Sequence, residues 1–320
     1  MRKLTASICC LILCICLASP AQARELVAVG QVVGLELRDG TVTVAAFDEE
    51  LGEPARAAGL EAGDRILSIN GDSIRCAGDV KTALQTSKGM VTLEVLRSGK
   101  QLRISLAPTI TSEGPKLGLY LRQGVSGIGT VTWYDPKTGE FATLGHGVSN
   151  SAGQLLQLVS GSAFKSQVAT VRKGKVGEPG QLMGSVESPE PIGTLKTNSN
   201  RGVFGISQVE WTGKTLETAC WEEIQTGKAT ILSTIDREGV REYSVEILKL
   251  YPRTNGNGRN LLIKVTDPAL LDATGVIVQG MSGSPIIQNG KLVGAVTHVL
   301  VNDPTTGYGI FIENMLDTAA

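Results

Sequence analysis

The sequence predicts a mainly β protein in two parts, a small α+β domain over residues 31–107 and, from about residue 116, an antiparallel β-barrel or sandwich. Three observations carry this. Beyond Pro115 nearly every apolar segment is short, alternating and bounded by turn residues, and no long helical period competes with them. Glycine, at 39 of 320 residues, is well above its usual share of about 7%, which suits many tight turns between short strands. Between Gln31 and Leu106, by contrast, two short helical patterns are set among the strands.

The length exceeds that at which one core stops growing, so two cores are expected. With 42% apolar residues, 19% charged residues and a net charge of -1, the chain reads as soluble and globular. It lacks the basic excess of a nucleic-acid binder. Residues 1–23 read as a signal peptide: Arg2 and Lys3 precede the apolar run Ile8 to Ala18, and Ala21-Gln22-Ala23 is a small-x-small cleavage signal. The run is shorter than the ~20 residues of a membrane span, so export is expected over retention as an anchor. Four of the six cysteines lie in this leader, and Cys76 and Cys220 are expected as small buried side chains rather than a disulfide framework.

In order along the small domain, Thr41 to Phe47 alternates as a strand, and Ala55 to Gly59 is a short helix closed by glycine. Gly63 to Gly71 is a strand ending in an Asn-Gly turn. Asp79 is expected to cap a helix that buries Val80, Ala83 and Leu84. Met90 to Leu96 and Leu102 to Leu106 flank a Ser98-Gly99 turn as a hairpin, and Pro108 to Pro115 reads as a linker.

The run Ala58-Gly59-Leu60-Glu61-Ala62-Gly63-Asp64-Arg65-Ile66-Leu67-Ser68-Ile69-Asn70-Gly71 closely resembles the signature of bacterial PDZ domains. The resemblance implies a groove that captures an extended peptide by strand addition. Its walls would be the loop Gly34, Leu35, Glu36 and Leu37 on one side and Val80 and Leu84 of the helix on the other.

In the second half the segments Gly129 to Tyr134, Val203 to Val209, Ala229 to Ile235 and Tyr243 to Leu248 are short alternating strands. The chain contains only two histidines, His146 and His298, which excludes a three-histidine zinc site. No metal or other cofactor is expected. His146 sits in Leu144-Gly145-His146-Gly147, where the flanking glycines allow a sharp turn and an accessible imidazole. The same residues fit a histidine hydrogen-bonded within a turn. Gly280-Met281-Ser282-Gly283-Ser284-Pro285 precedes a hairpin and resembles the nucleophile loop of chymotrypsin-fold serine peptidases. Attack on a peptide carbonyl needs an exposed hydroxyl and two backbone N–H donors, here Ser282 and the amides of Gly280 and Ser282. A plain glycine-serine turn is the competing reading. Ser284, followed by proline, is the weaker candidate. A third member should be a carboxylate that orients the imidazole. Asp267, before Pro268, fits this role and fits a helix N-cap equally, with Asp272, Asp236 and Asp303 as rivals.

Taken together, Gly127 to Pro136, Leu144-Gly145-His146-Gly147, Thr266-Asp267-Pro268, Gln279 to Pro285 and Val293 to His298 resemble the stage IV sporulation protein B family. The resemblance implies a PDZ domain followed by a chymotrypsin-like antiparallel β-barrel serine peptidase over 116–320, with His146 as base, Asp267 as orienting acid and Ser282 as nucleophile. It further implies an exported endopeptidase acting between the two membranes of a developing spore. Its substrate would be the extracytoplasmic part of a membrane-bound regulator, and self-cleavage near the N-terminus is a further expectation. Met281 stands where trypsin-like enzymes carry an aspartate, so activation by a newly cut N-terminus is not expected. His298 is expected as a packed or surface residue. A non-catalytic PDZ scaffold on a degenerate peptidase fold is the alternative function.

Overall fold

The computed structural model of the protein describes residues 23–150, 152–255 and 258–319. The expected signal peptide lies outside them but for its last residue. No helix among the described residues is long and apolar enough to cross a membrane.

Twelve strands of the described residues close into two antiparallel barrels. The N-terminal barrel is built from β1 (Val32–Phe47), β2 (Leu119–Tyr134), β3 (Glu140–Thr143), β4 (Ser160–Arg172), β5 (Gln181–Ser199) and β6 (Gly202–Ser207). Their order around the barrel is β1-β2-β3-β6-β5-β4, closed by the β4–β1 pairing. The C-terminal barrel uses β7 (Gly227–Thr234), β8 (Val240–Leu250), β9 (Leu261–Val265), β10 (Pro285–Gln288), β11 (Lys291–Leu300) and β12 (Asp303–Phe311). Its order, β7-β8-β9-β12-β11-β10, repeats that of the first. Period-2 alternation dictates which side chains face in: along β8, Tyr243, Val245 and Ile247 are buried while Glu242, Ser244 and Glu246 are exposed. Each such fully buried aliphatic side chain contributes about 1.5–3 kcal/mol. Trp133, Ala142 and Phe204 of the first barrel pack with Leu292 and Ile310 of the second and with Met315 of the C-terminal helix Ile312–Ala319, so a shared apolar layer sets the barrels against each other.

The small domain does not precede the barrels; it is inserted between β1 and β2. Val33 to Leu37 pair with both β2 and β4 inside the barrel, whereas Val42 and Thr43 pair with Ile66 and Arg65 of the small domain. Residues 31–38, read from the sequence as part of the small domain, therefore belong to the N-terminal barrel. A bulge makes the transition: Leu37 faces Val125 and Val42 faces Gln123, leaving Gly124 alone opposite residues 38–41. A Cβ at Gly124 would lie 1.8 Å from the Leu37 carbonyl oxygen, so only glycine fits. The expected linker folds as a small hairpin, Thr109–Thr111 against Gly114–Lys116.

Within the small domain the turn chemistry read from the sequence is realised. Asn70 (φ 52°) and Gly71 (φ 91°) are both left-handed, as are Ser98 and Gly99. Helix α1 spans Glu53–Ala57 and α2 spans Ala77–Thr86, with Val80, Ala83 and Leu84 buried. Asp79 is not the cap residue itself. It stands at the third helical position and accepts the amides of Cys76 (3.0 Å) and Arg75 (2.8 Å), the reach-back half of a capping box around Cys76.

One buried charge holds this domain. Asp64 is fully buried, and Arg97 meets it through two hydrogen bonds of 2.7 Å, while the Glu61 amide donates a third. Burial alone would push the carboxyl up, but the guanidinium and the amide outweigh it and hold it below the usual range. The pair thus stabilises the fold above about pH 4, and that contribution is lost as pH falls through the lowered value. Arg97→Leu should lower the denaturant midpoint by stranding the carboxylate. A denaturant midpoint unchanged from wild type would show that the pair carries no net stability.

Candidate active site

The two loops that the sequence nominated connect the third and fourth strands of their respective barrels. After β3 the backbone turns through Leu144 (φ 70°) and Gly145 (φ 67°), both left-handed. A Cβ at Gly145 would meet the Thr297 methyl at 2.9 Å. This turn swings His146 toward the second barrel. Its Nδ1 lies 2.9 Å from the Gly147 carbonyl. A carbonyl can only accept, so that bond assigns the proton to Nδ1 and leaves the lone pair on Nε2. Asn198, near the end of β5, clamps the following residues: its oxygen accepts from Val148 and its amide donates to the carbonyls of Val148 and Leu156.

Between β9 and β10 lie helix α3 (Pro268–Thr274) and the loop Gly280 to Ser284. Gly280 (φ 100°) and Gly283 (φ 97°) carry its sharp turns. In this loop the amides of Met281, Gly283 and Ser284 donate to Val278, Val296 and Met281 carbonyls. Those of Gly280 and Ser282 have no acceptor among the described residues. They are the two donors proposed for an oxyanion. The Ser282 side chain is half-buried and its hydroxyl donates to the Thr297 carbonyl at 2.8 Å. Ser284 is fully buried against Ser233, which removes it as a nucleophile. Met281 is also fully buried, packed in the core of the second barrel.

A cleft of about 500 Å³ runs between the barrels, and His146, Ser282, Gly280 and His298 are among the residues that line it. Leu35 and Leu37 of β1, Ile128 of β2 and Val278 form apolar walls. Burial lowers the pKa of His146, opposed by the Gly147 carbonyl. His298 falls to about 4 through burial first, then through the positive charge that His146 and Arg259 would bring near it. Both rings are therefore neutral near pH 7, the state a general base requires.

The structure does not bring Asp267 to this cleft. Its Oδ1 accepts the amides of Ala269 (3.0 Å) and Leu270 (3.2 Å) and its Oδ2 that of Ser244 (3.1 Å), so it caps α3 and ties it to β8. The rivals are engaged elsewhere: Asp236 with Arg241, Asp303 with Thr305 and Thr306, while Asp272 stands in α3 beside Lys173. No carboxylate among the described residues is hydrogen-bonded to either imidazole. What stands beside His146 is His298, expected from the sequence as a packed or surface residue. Their ring centres are 5.0 Å apart and tilted by 40°. The available signal was scarcity, because a chain with two histidines that places one in the cleft makes the other worth locating.

The peptide groove also differs from expectation. Val80 and Leu84 of α2 line a depression of about 420 Å³ whose opposite wall is Leu117 to Leu121. Gly34, Leu35, Glu36 and Leu37 are paired inside the first barrel instead. The reason is the register of β2. Leu119 to Leu121 pair with Phe47 to Val44 through one edge and take the place beside α2 that the loop was expected to fill. Lys116-Leu117-Gly118-Leu119 repeats the apolar-Gly-Leu pattern of Val33-Gly34-Leu35, which is the signal that could have found it.

Comparison with known proteins supports this architecture. The family model described as SpoIVB peptidase S55 matches residues 113–316, nearly two thirds of the chain, and a PDZ domain model matches residues 50–97. Two curated relatives carry zinc metalloprotease in their names. That of Lactococcus lactis is 36% identical over 97 residues, 30% of this chain and 21% of its own length. That of Brucella suis is 31% identical over 104 residues, 32% and 26% respectively. The chain thus spans about a fifth to a quarter of these relatives. Among solved structures, the PDZ domain of the SdrC-like protein Lmo2051 from Listeria monocytogenes is 25% identical and covers 25% of this chain and 85% of its own, with a TM-score of 0.22. The inactive form of the Rv3671c protease of M. tuberculosis is 15% identical and covers 59% and 81%, with a TM-score of 0.35. The chain is mainly β, with a PDZ domain and a chymotrypsin-like antiparallel barrel, as expected.

Two measurements follow from this geometry. Because burial holds His146 below the usual imidazole value, kcat/KM should keep its acid limb below about pH 6.5. A limb at or above that value would mean that the charged ring is favoured in the free enzyme. Asp267→Asn keeps an oxygen for Ala269 and Leu270 but presents an N–H to the Ser244 amide. It should cost about 1–3 kcal/mol of stability while kcat/KM of the folded variant stays within about tenfold of wild type. A loss nearer the ~10⁴-fold known for an orienting carboxylate would return Asp267 to the catalytic unit.

Proposed function

The chain belongs to the SpoIVB peptidase S55 family; from that premise we propose that it is an exported serine endopeptidase in which Ser282 is the nucleophile and His146 the general base. The observation that carries this reading is convergence. A serine hydroxyl, an imidazole with its Nε2 lone pair unprotonated, and two amides without acceptors come from two barrels into one apolar-walled cleft.

In this reading a substrate displaces the Ser282 hydroxyl from the Thr297 carbonyl. The hydroxyl turns to His146 Nε2, which takes its proton as Oγ attacks the scissile carbonyl. The Gly280 and Ser282 amides hold the developing oxyanion. His146 then delivers the proton to the leaving amine, and water repeats the sequence to release the acyl group. The apolar walls exclude water and strengthen each of these contacts.

The substrate is a protein, and the groove between α2 and Leu117 to Leu121 is suited to an extended segment of it. The signal-like residues 1–23 and the family support export, and with it a role in signalling between the membranes of a developing spore. The partner there would be the extracytoplasmic part of a membrane-bound regulator. The chain's own N-terminal region is a second candidate substrate.

Ser282→Ala should abolish both peptide hydrolysis and labelling by a fluorophosphonate, with unchanged circular dichroism, because a half-buried hydroxyl on a loop contributes little packing. Labelling that persists in this variant would remove Ser282 from the role.

A further inference from the structure

His298 stands on β11 one residue beyond Thr297, whose carbonyl holds the Ser282 hydroxyl. Its side chain lines the cleft and its ring lies 5.0 Å from that of His146. Its Nδ1 is shielded from solvent and has no hydrogen-bond partner among the described residues. A buried ring nitrogen without a partner costs about 1–3 kcal/mol. Such a cost is tolerated where the atom serves a state other than the resting one.

His146 has the complementary need. Its Nδ1–H rests on the carbonyl of its own neighbour, Gly147, and the carboxylate proposed for it from the sequence is committed to three backbone amides elsewhere. The ring centres, 5.0 Å apart at a 40° tilt, are close enough for a hydrogen bond between facing ring nitrogens.

We infer that His298 is a positioning residue for the catalytic base, its Nδ1 accepting the His146 Nδ1–H once the serine proton has reached Nε2. This rests on the assignment of Ser282 and His146 above. As the Ser282 O–H bond breaks and Oγ bonds to the carbonyl carbon, His146 becomes an imidazolium with two N–H groups. One faces the leaving amine and the other turns from Gly147 to His298. His298 keeps its own proton on Nε2 throughout and exchanges none. Two cationic partners act on it, His146 when protonated and Arg259, whose guanidinium lies over the Tyr308 ring opposite His298 on the neighbouring strand. Both oppose a charge on His298, so its lone pair stays available across the neutral range.

The chain's two histidines make the test direct, because a sample labelled with ¹⁵N in the imidazoles shows two rings only. In the wild-type enzyme at pH 7, His298 should be the Nε2–H tautomer with Nδ1 unprotonated. With a peptide boronate bound to Ser282, the His146 Nδ1 proton should couple to a nitrogen of each ring. A protonated His298 Nδ1, or a boronate complex without that coupling, overturns the inference. In kinetics, His298→Leu should lower kcat about 10²-fold with KM unchanged, less than the ~10⁴ of a lost orienting carboxylate. His298→Asn, whose amide oxygen falls near the Nδ1 position, should recover most of the loss. A folded His298→Leu variant with wild-type kcat, or one altered in KM alone, also overturns it. Fluorophosphonate labelling of the wild-type enzyme separates the two levels: no label on Ser282 brings down the nucleophile assignment itself, whereas a labelled enzyme without the His–His coupling brings down only the role of His298.

Discussion

One buried residue joins the two halves of the candidate site. Thr130 of β2 donates its amide to the Ser282 carbonyl (2.9 Å) and its hydroxyl to the Gly280 carbonyl (2.8 Å). Its own carbonyl accepts the Thr143 hydroxyl (2.6 Å) and the Leu144 amide (3.4 Å) at the start of the histidine turn. The first barrel thereby holds the Gly280 to Ser284 loop of the second, and both loops are referenced to one peptide unit. The approach is so close that a Cβ on Gly283 would lie 2.0 Å from the Thr130 oxygen. The glycine after Ser282 is thus a steric requirement, separate from any need for flexibility.

The repeated strand order gives this joint its meaning. Because both barrels run 1-2-3-6-5-4, their third-to-fourth connections are equivalent, and facing barrels bring those connections together. One supplies the imidazole and the other the hydroxyl and the amides. The fifth strands contribute in parallel fashion: β5 brings Asn198 to brace the histidine turn, and β11 brings Thr297 and His298 to the serine. Catalytic geometry here depends on the shared apolar layer between barrels, since sliding one against the other would separate groups that no single barrel holds.

The insertion of the PDZ domain between β1 and β2 ties it to the same joint. Along these two strands the groove beside α2 lies at one end, at Leu119 to Leu121, and the cleft walls Leu35, Leu37 and Ile128 lie toward the other. The bulge at Gly124 is the interruption between them.

By itself the sequence determined what depends on neighbours along the chain. Period-2 alternation marked the strands, Asn70-Gly71 and Ser98-Gly99 marked their turns, and the glycines around His146 and Ser282 marked where the backbone must bend sharply, because these are local requirements on φ and on side-chain direction. Asp267 marks the limit of that legibility, since Asp-Pro reads alike as an N-cap or as a triad acid until one knows which side of the barrel it faces. Tertiary structure alone decided that Gly34 to Leu37 belong to the peptidase barrel, that the groove is completed by Leu117 to Leu121, and that His298 stands beside His146 at a distance of 152 residues in sequence. Each of these is a contact between segments far apart in the chain, and alternation along one strand carries no record of what will lie beside it.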